Sequence, residues 1–281
     1  MIELIVQSFP LALVASVPLL LGVEGELVAE RAGMINLGIE GMMLVASMTA
    51  VYAAQVSGSI AMGIAGGIAG ALLVALIFGA FAIHLRADQI VTGTAINLLA
   101  LGVTGFVYRE MNETFTRAVP HIESNAIPLV AWIAVPIALA WMLWSTPFGL
   151  RLRACGENPE AIRAANFNVA AHRWAALGIE ALLVGIAGTD LALALSGGFA
   201  ENMTSGRGYI ALSIVIFGRW KVKGVILGTA LFGAAAALQY AMQAANRGIQ
   251  FHLLLAIPYV VTLVILCGIA GRVRAPEALG K

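Results

Sequence analysis

The chain has 281 residues, 60% hydrophobic and only 11% charged, with a mean hydropathy of +0.93. Soluble domains carry about 25% charged residues, so an ordinary soluble enzyme or binding module is excluded and an all-α, polytopic membrane protein is indicated; the ~10-residue alternating segments of a barrel are absent. Lys plus Arg number 16 against 15 Asp plus Glu, which leaves no bulk charge to attract nucleic acid.

A membrane-spanning helix needs about 20 apolar residues. Taken in order, the candidates are 4–23, 35–56, 60–85, 90–108, 127–144, 174–196, 225–244 and 252–270. The chain starts Met1-Ile2-Glu3, without a basic leader or a small-residue cleavage site, so the first stretch reads as a retained helix. A further stretch, 209–217, spans roughly 13 Å as a helix, about half of a ~30 Å hydrocarbon core. It is either a half-helix or part of a segment broken at Gly206 and Gly208. The total is eight to ten crossings in one transmembrane domain, 1–281.

Lys and Arg in short loops set orientation. Arg151, Arg153, Arg163 and Arg173, then Arg219, Lys221 and Lys223, then Arg272, Arg274 and Lys281 form three basic regions. Placing all three inside threads the chain in nine crossings, N-terminus out and C-terminus in, with Arg31 and Arg86 also inside. Arg109, Arg117, Arg207 and Arg247 are left outside.

Two stretches resemble each other. Gly33, Ile35, Leu37 and Ile39 after Arg31 match Gly208, Ile210, Leu212 and Ile214 after Arg207. In this threading one runs outward and the other inward, as in an inverted repeat, and in transporters the solute path lies where such repeats meet. In 60–85, the pairs Gly63/Gly67 and Gly66/Gly70 permit close helix contact, more plausibly within the chain than between subunits.

Charge at membrane depth costs about 3 kcal/mol and needs a reason. Asn36, Glu40, Asn97 and Asp190 are candidates to line a polar path, with Ser213 in the short stretch. Glu180 shares a segment with Asp190 but points about 80° away, ten residues off at ~100° each. The alternative is that these groups hydrogen-bond broken backbone at the repeat glycines, or a partner subunit. The polar run 110–125 reads as a solvated connection.

The longest polar interruption is 148–173. Its middle predicts a short helix: Asn158 as cap, Pro159 at the first position, Glu160 in the first turn. Ala161, Ala164 and Ala165 give it a smooth face, and Asn166 can close it in the left-handed conformation. Such a helix between membrane segments is suited to dock on a cytoplasmic partner.

No G-x-x-x-x-G-K-[ST] loop, G-x-S-x-G elbow or H-E-x-x-H helix is present, so self-powered ATP use and intramembrane catalysis have no support. Cys155 and Cys267 are the only cysteines and the four histidines are scattered, which gives neither a disulfide nor a metal site a basis.

Four blocks then resemble one family: residues 30–43 (ERAGMINLGIEGMM), 205–212 with 216–220, 257–263, and 156–165 (GENPEAIRAA). Together they are similar to permease subunits of bacterial ABC importers of the ribose/branched-chain amino acid class, nearest the nucleoside branch that depends on a basic membrane protein. The resemblance implies the shorter of two permeases in the bacterial inner membrane. It implies a longer permease, cytoplasmic ATPase subunits that carry the ATP and Mg, and an extracytoplasmic solute-binding lipoprotein as partners; this chain itself would hold no cofactor. Gly156, Glu157, Asn158, Pro159, Glu160, Ala161, Arg163, Ala164 and Ala165 become the expected coupling residues. Asn166-Phe167 stands where the family usually has Gly-Ile, and Lys221-Val222-Lys223 where an Asn/Lys-Pro turn is common. A self-sufficient secondary transporter is the alternative from another class.

Overall fold

The computed structural model describes residues 12–112, 119–122, 126–244, 260 and 274–281. Residues 4–11 of the first expected segment, the stretch 252–270 apart from Val260, Arg117, Arg247 and Cys267 lie outside them. The described chain is helical: α1 (Val17–Arg31), α2 (Ile39–Ser57), α3 (Ile60–His84), α4 (Gln89–Asn112), α5 (Ile127–Ser145), α6 (Pro147–Glu157), α7 (Pro159–Ala164), α8 (Val169–Leu195), α9 (Arg207–Phe217) and α10 (Val222–Ala244). Five of these, α2–α5 and α8, are long and apolar enough to cross a membrane. With the shorter apolar helices they bear out the expected polytopic helical membrane fold.

The centre of the bundle is α1. All of its residues except Arg31 are buried, which is the condition of a helix enclosed on every side. Gly22 faces Met43 of α2 and Ala211 of α9, and at Gly25 the backbone of α8 comes so close that an added Cβ would lie 3.2 Å from the Glu180 Cα. The apolar run alone ends this helix at residue 23; the structure carries it eight residues further, through Glu24, Glu26 and Glu30. Propensity does not oppose the extension, because Glu is a good helix former. What the run could not reveal is that neighbouring helices enclose the three carboxylates.

The glycines of α3 serve two neighbours inside the same chain. Gly66 and Gly70 sit against Ala53 and Thr49 of α2, while Gly63 and Gly67 sit against Leu193, Thr189 and Gly185 of α8. A methyl group on Gly67 would collide with the Thr189 hydroxyl. Close packing of this kind supplies the contact that a hydrophobic effect cannot supply within lipid.

Local signals set the ends. Asp88 Oδ1 accepts the Ile90 and Val91 N–H groups at 2.9 Å to begin α4. Thr146 accepts Gly149 N–H at 3.0 Å to begin α6, which makes 148–157 of the polar interruption helical as well. Asn158 caps α7 through Ala161 N–H at 3.1 Å, and Asn168 caps α8 through Ala171 N–H at 3.1 Å. Asn166 closes α7 at φ 62°.

Two regions differ from a chain of simple spans. Residues 32–38 are not helical, so α2 begins at Ile39 and the 35–56 segment is broken at its start. After α8 the chain runs irregularly through 196–206 before α9, whose 11 residues cover roughly 16 Å. The short stretch is therefore a half-helix, preceded by irregular chain in which Thr204 is buried while Gly197, Glu201 and Asn202 are exposed.

Candidate functional site

The broken start of α2 and the start of α9 meet. Glu40, in the first turn of α2, accepts Gly206 N–H at 2.8 Å and Gly208 N–H at 2.6 Å, so its carboxylate closes the N-terminus of α9. The approach requires glycine, since a Cβ on Gly208 would stand 2.5 Å from the Glu40 nitrogen. A carboxylate here meets both the free N–H groups and the positive end of the helix dipole.

The other end of each block makes the reciprocal contact. Arg31 donates through Nε and Nη2 to the Trp220 carbonyl at 2.7 and 2.5 Å, and Trp220 Nε1 donates to Glu30 Oε2 at 2.5 Å. Residues 30–31 thus touch 220, while residue 40 touches 206 and 208. Contact numbers rise in one block as they fall in the other, so the two similar stretches pack antiparallel, the arrangement an inverted repeat produces.

Buried backbone must find partners, and at the break side chains supply some of them. Ile35 N–H donates to Gln89 Oε1 at 2.7 Å, Asn36 N–H to Glu26 Oε1 at 3.1 Å, and Gly41 N–H to Asn97 Oδ1 at 2.7 Å. Asn97 Nδ2 donates to the Leu37 carbonyl at 2.7 Å and to the Tyr209 hydroxyl at 2.8 Å. Asn36 Nδ2 donates to Glu180 Oε1 at 2.8 Å.

The five path candidates are therefore distributed unequally. Asn36, Glu40 and Asn97 lie at one junction and all bond across the break. Asp190 is buried in α8, away from these hydrogen bonds, where the helix widens into a π turn over Asp190–Leu195. Ser213 lies one turn beyond Tyr209 on α9, its hydroxyl donating to the Tyr209 carbonyl at 3.0 Å. Between α4 and α9 a polar edge runs from buried Asn97 through Tyr209, which is 45% exposed, to half-buried Ser213. Tyr209, Glu26, Glu30 and Trp220 were not singled out from sequence. The i,i+4 pair Glu26/Glu30 directly after an apolar run is the signal that could have found two of them.

The face carrying α6 and α7 is the second functional region. α7 is held by Ile162, which packs with Cys155 and Val169. Ala161, Arg163, Ala164, Ala165, Asn166 and Phe167 are all exposed, as are Glu157, Asn158 and Glu160. Glu160 and Arg163 pair along the helix. Pro159 and Gly156 lie at its base, Gly156 buried. Phe167 stacks beneath the Arg151 guanidinium at 4.4 Å. A cavity of about 960 Å³ opens beside α7, walled by the α3–α4 turn (Arg86, Asp88) and by Glu277 and Lys281 of the C-terminal segment. Burial pushes the Cys155 thiol above its ordinary range, offset in part by Arg173. The basic residues Arg31, Arg86, Arg163, Arg173 and Lys281 gather on this face. Arg109 lies near the far end of α4, roughly 30 Å from its start at 1.5 Å per residue, where it pairs with Glu201 at 2.9 Å and holds that carboxyl below its usual range. Among the described residues no group of three His, Cys, Asp or Glu side chains is disposed to hold a metal ion.

A family model described as "Branched-chain amino acid transport system / permease component" matches residues 8–267. The chain belongs to this family. Among curated proteins it is 33% identical to the guanosine ABC transporter permease protein NupQ of Bacillus subtilis, over 96% of this chain and 94% of that one. It is 33% identical to the nucleoside ABC transporter permease protein NupC of Lactococcus lactis subsp. cremoris, over 95% and 93%. It is 32% identical to the putative glucose ABC transporter permease protein TsgC13 of Haloferax volcanii, over 84% and 78%. Among solved structures, PsaBC from Streptococcus pneumoniae in complex with Fab superposes with a TM-score of 0.55 at 14% identity, covering 95% of each chain, a likeness of fold. Membership bears out the resemblance found in the motifs. This permease is a multi-pass transport subunit, and its family works with ATPase and solute-binding components.

Proposed function

We propose that this permease is the shorter of two membrane subunits of an ATP-driven nucleoside importer in a bacterial inner membrane. A longer permease completes the path, and a solute-binding lipoprotein delivers the nucleoside from the far side. ATPase subunits dock on the α6–α7 face and carry the ATP and Mg; this chain binds no cofactor. The observation that carries the reading is α7 itself: a capped helix anchored by one buried isoleucine, with an exposed alanine face beside a large cavity on the basic side of the protein. Glu157, Asn158, Glu160 and Arg163 are its coupling residues, and Gly156, Pro159, Ala161, Ala164 and Ala165 shape the surface the ATPase meets. The nucleoside assignment is supported by two relatives whose names carry that solute class.

The path runs along the α4–α9 edge. Tyr209, 45% exposed, offers an aromatic side chain suited to stacking on a base, its hydroxyl held by the Asn97 amide and Ser213 one turn further along α9. Asn36 and Glu40 act from behind, by holding the broken backbone on which that edge is built, and Asp190 lies further along α8. ATP binding must favour one of two global states through contacts at α7. A glucose solute is the second reading, favoured by the name of the Haloferax relative.

The test is purification of the complex from native membranes in mild detergent, reconstitution with the lipoprotein, and ATP-dependent uptake of labelled guanosine, uridine and glucose. Saturable uptake of both nucleosides, with a several-fold higher KM in Tyr209→Ala than in Tyr209→Phe, is expected. Glucose uptake alone moves the solute to the second reading. Recovery of the chain without an ATPase, moving solute unaided, replaces the importer with a secondary transporter.

A further inference from the structure

Three separate backbones meet at one point on the α7 face. Gly33, two residues beyond α1, adopts φ +86°, a conformation natural to glycine. A Cβ there would stand 3.1 Å from the Ala278 carbonyl oxygen and 3.3 Å from the Gly156 Cα. Gly156, in the last turn of α6, is as tightly placed, and a Cβ on it would strike the Arg31 carbonyl. The C-terminal segment closes the gap. Ala278 N–H donates to the Gly156 carbonyl at 2.8 Å, and Gly280 N–H donates to the Gly33 carbonyl at 3.1 Å. Pro276 and Ala278 are buried, Leu279 packs on the main core, and Gly280 touches Ile35.

We propose that residues 276–281 are a fastener that ties the base of the coupling helix to the broken segment of α2, so that movement of α7 is delivered to the junction at Glu40. The proposal rests on the reading of α7 as the ATPase-docking helix. Each link is on the page. Displacing α7 moves Gly156 because Cys155, Ile162 and Val169 pack as one cluster across α6, α7 and α8. Gly156 and Gly33 are held to the same three residues of the tail, Ala278–Gly280, by main-chain hydrogen bonds. Gly33 in turn stands three residues before Asn36, which bonds Glu180, and seven before Glu40, which closes α9. Without the tail, the two sides keep van der Waals contact and a 3.8 Å Arg31–Glu157 pair whose glutamate side chain is 52% exposed. An exposed ion pair is a compliant connection, whereas two main-chain bonds over a buried alanine fix distance and direction.

Cys155 precedes Gly156 in α6, fully buried, and reports loosening where the C-terminal segment is bound. In the intact importer carrying Cys267→Ser, it is the single thiol in this chain, so maleimide labelling in native membranes reads exposure directly. Two truncations grade the test. Ending the chain after Leu279 removes the bond to Gly33; ending it after Glu277 removes both bonds. Each main-chain bond lost raises the opening frequency of a local unit about fivefold. Labelling should therefore rise about fivefold in the shorter truncation and about twenty-fivefold in the longer, and nucleoside imported per ATP hydrolysed should fall in the same order while hydrolysis continues. Wild-type labelling in both truncations overturns the fastener. Faster labelling with an unchanged transport-to-hydrolysis ratio also overturns it, because the tail is then a brace outside the coupling route. If the longer truncation does not elute as a folded complex, the two-residue truncation decides. Absence of ATP-driven uptake in the untruncated importer is a different failure: it removes the importer reading, and Cys155 labelling still tests whether the tail holds Gly156 and Gly33 together.

Discussion

Replacing Glu40 tests whether the junction is held as its geometry indicates. Its two oxygens accept Gly206 N–H at 2.8 Å and Gly208 N–H at 2.6 Å, and the residue is 8% exposed. Hydrogen bonds to a charged acceptor contribute about 1.5–3 kcal/mol each. Glu40→Ala should then cost about 3–6 kcal/mol, because it leaves two N–H groups at the start of α9 without an acceptor. Glu40→Gln keeps one carbonyl oxygen but turns an amide NH₂ toward the other N–H, so it should cost about half as much. At about 2 °C per kcal/mol for a chain of this size, the melting temperature in detergent, followed by thiol-reactive or tryptophan fluorescence, should drop by roughly 6–12 °C for alanine and 3–6 °C for glutamine. Uptake should fall with both. Alanine melting within a degree of wild type would refute the capping argument. A glutamine variant that keeps its melting temperature while its KM for solute rises would instead make Glu40 a direct solute contact.

Gly208→Ala drives a methyl group to 2.5 Å from the Glu40 nitrogen, where only backbone can yield; it should destabilise by about 1–3 kcal/mol and lower the yield of folded complex on gel filtration. Asn158→Ala removes the acceptor for Ala161 N–H and should cost about 1 kcal/mol, with a larger fall in ATP-driven uptake than in melting temperature, while Asn158→Asp, which restores the cap, recovers both. Cys155 is buried with its thiol pushed above the ordinary range, so in the folded chain it should react with a maleimide at neutral pH far more slowly than a free thiol. Because the unfolded chain releases that proton at lower pH than the folded one, this residue's contribution to stability is intact at neutral pH and declines as pH climbs above about 9.

Much of this architecture is written in local pattern. Apolar runs located α3, α4, α5 and α8 to within a few residues, because a lipid-embedded helix must be apolar over its own length whatever surrounds it. The α7 helix was also readable, since Asn158, Pro159 and Asn166 act on their own backbone and need no distant partner. The pairing of similar stretches pointed to the junction of α2 and α9. The helix α6 was missed because Arg151, Arg153 and a Gly at each end made its turns look like loop, although Thr146-Pro147 is an N-terminal signal.

Partnership is what only the tertiary structure decided. Glu24, Glu26 and Glu30 stay in α1 because other helices surround them, a fact with no trace in the order of residues. Asn36 and Asn97 look alike as isolated polar residues in apolar segments, yet one bonds a carboxylate from α8 and the other holds the backbone of 37 and 41 together with Tyr209. The C-terminal segment gives no signal at all: Pro276 to Lys281 is a short polar-and-small run whose role comes from which carbonyls it reaches, Gly156 and Gly33, residues far apart in the chain. Periodicity and capping are properties of neighbours in sequence, and a sequence displays them. A hydrogen bond across the bundle depends on where other helices place its partner, and that position exists only once the whole chain has packed.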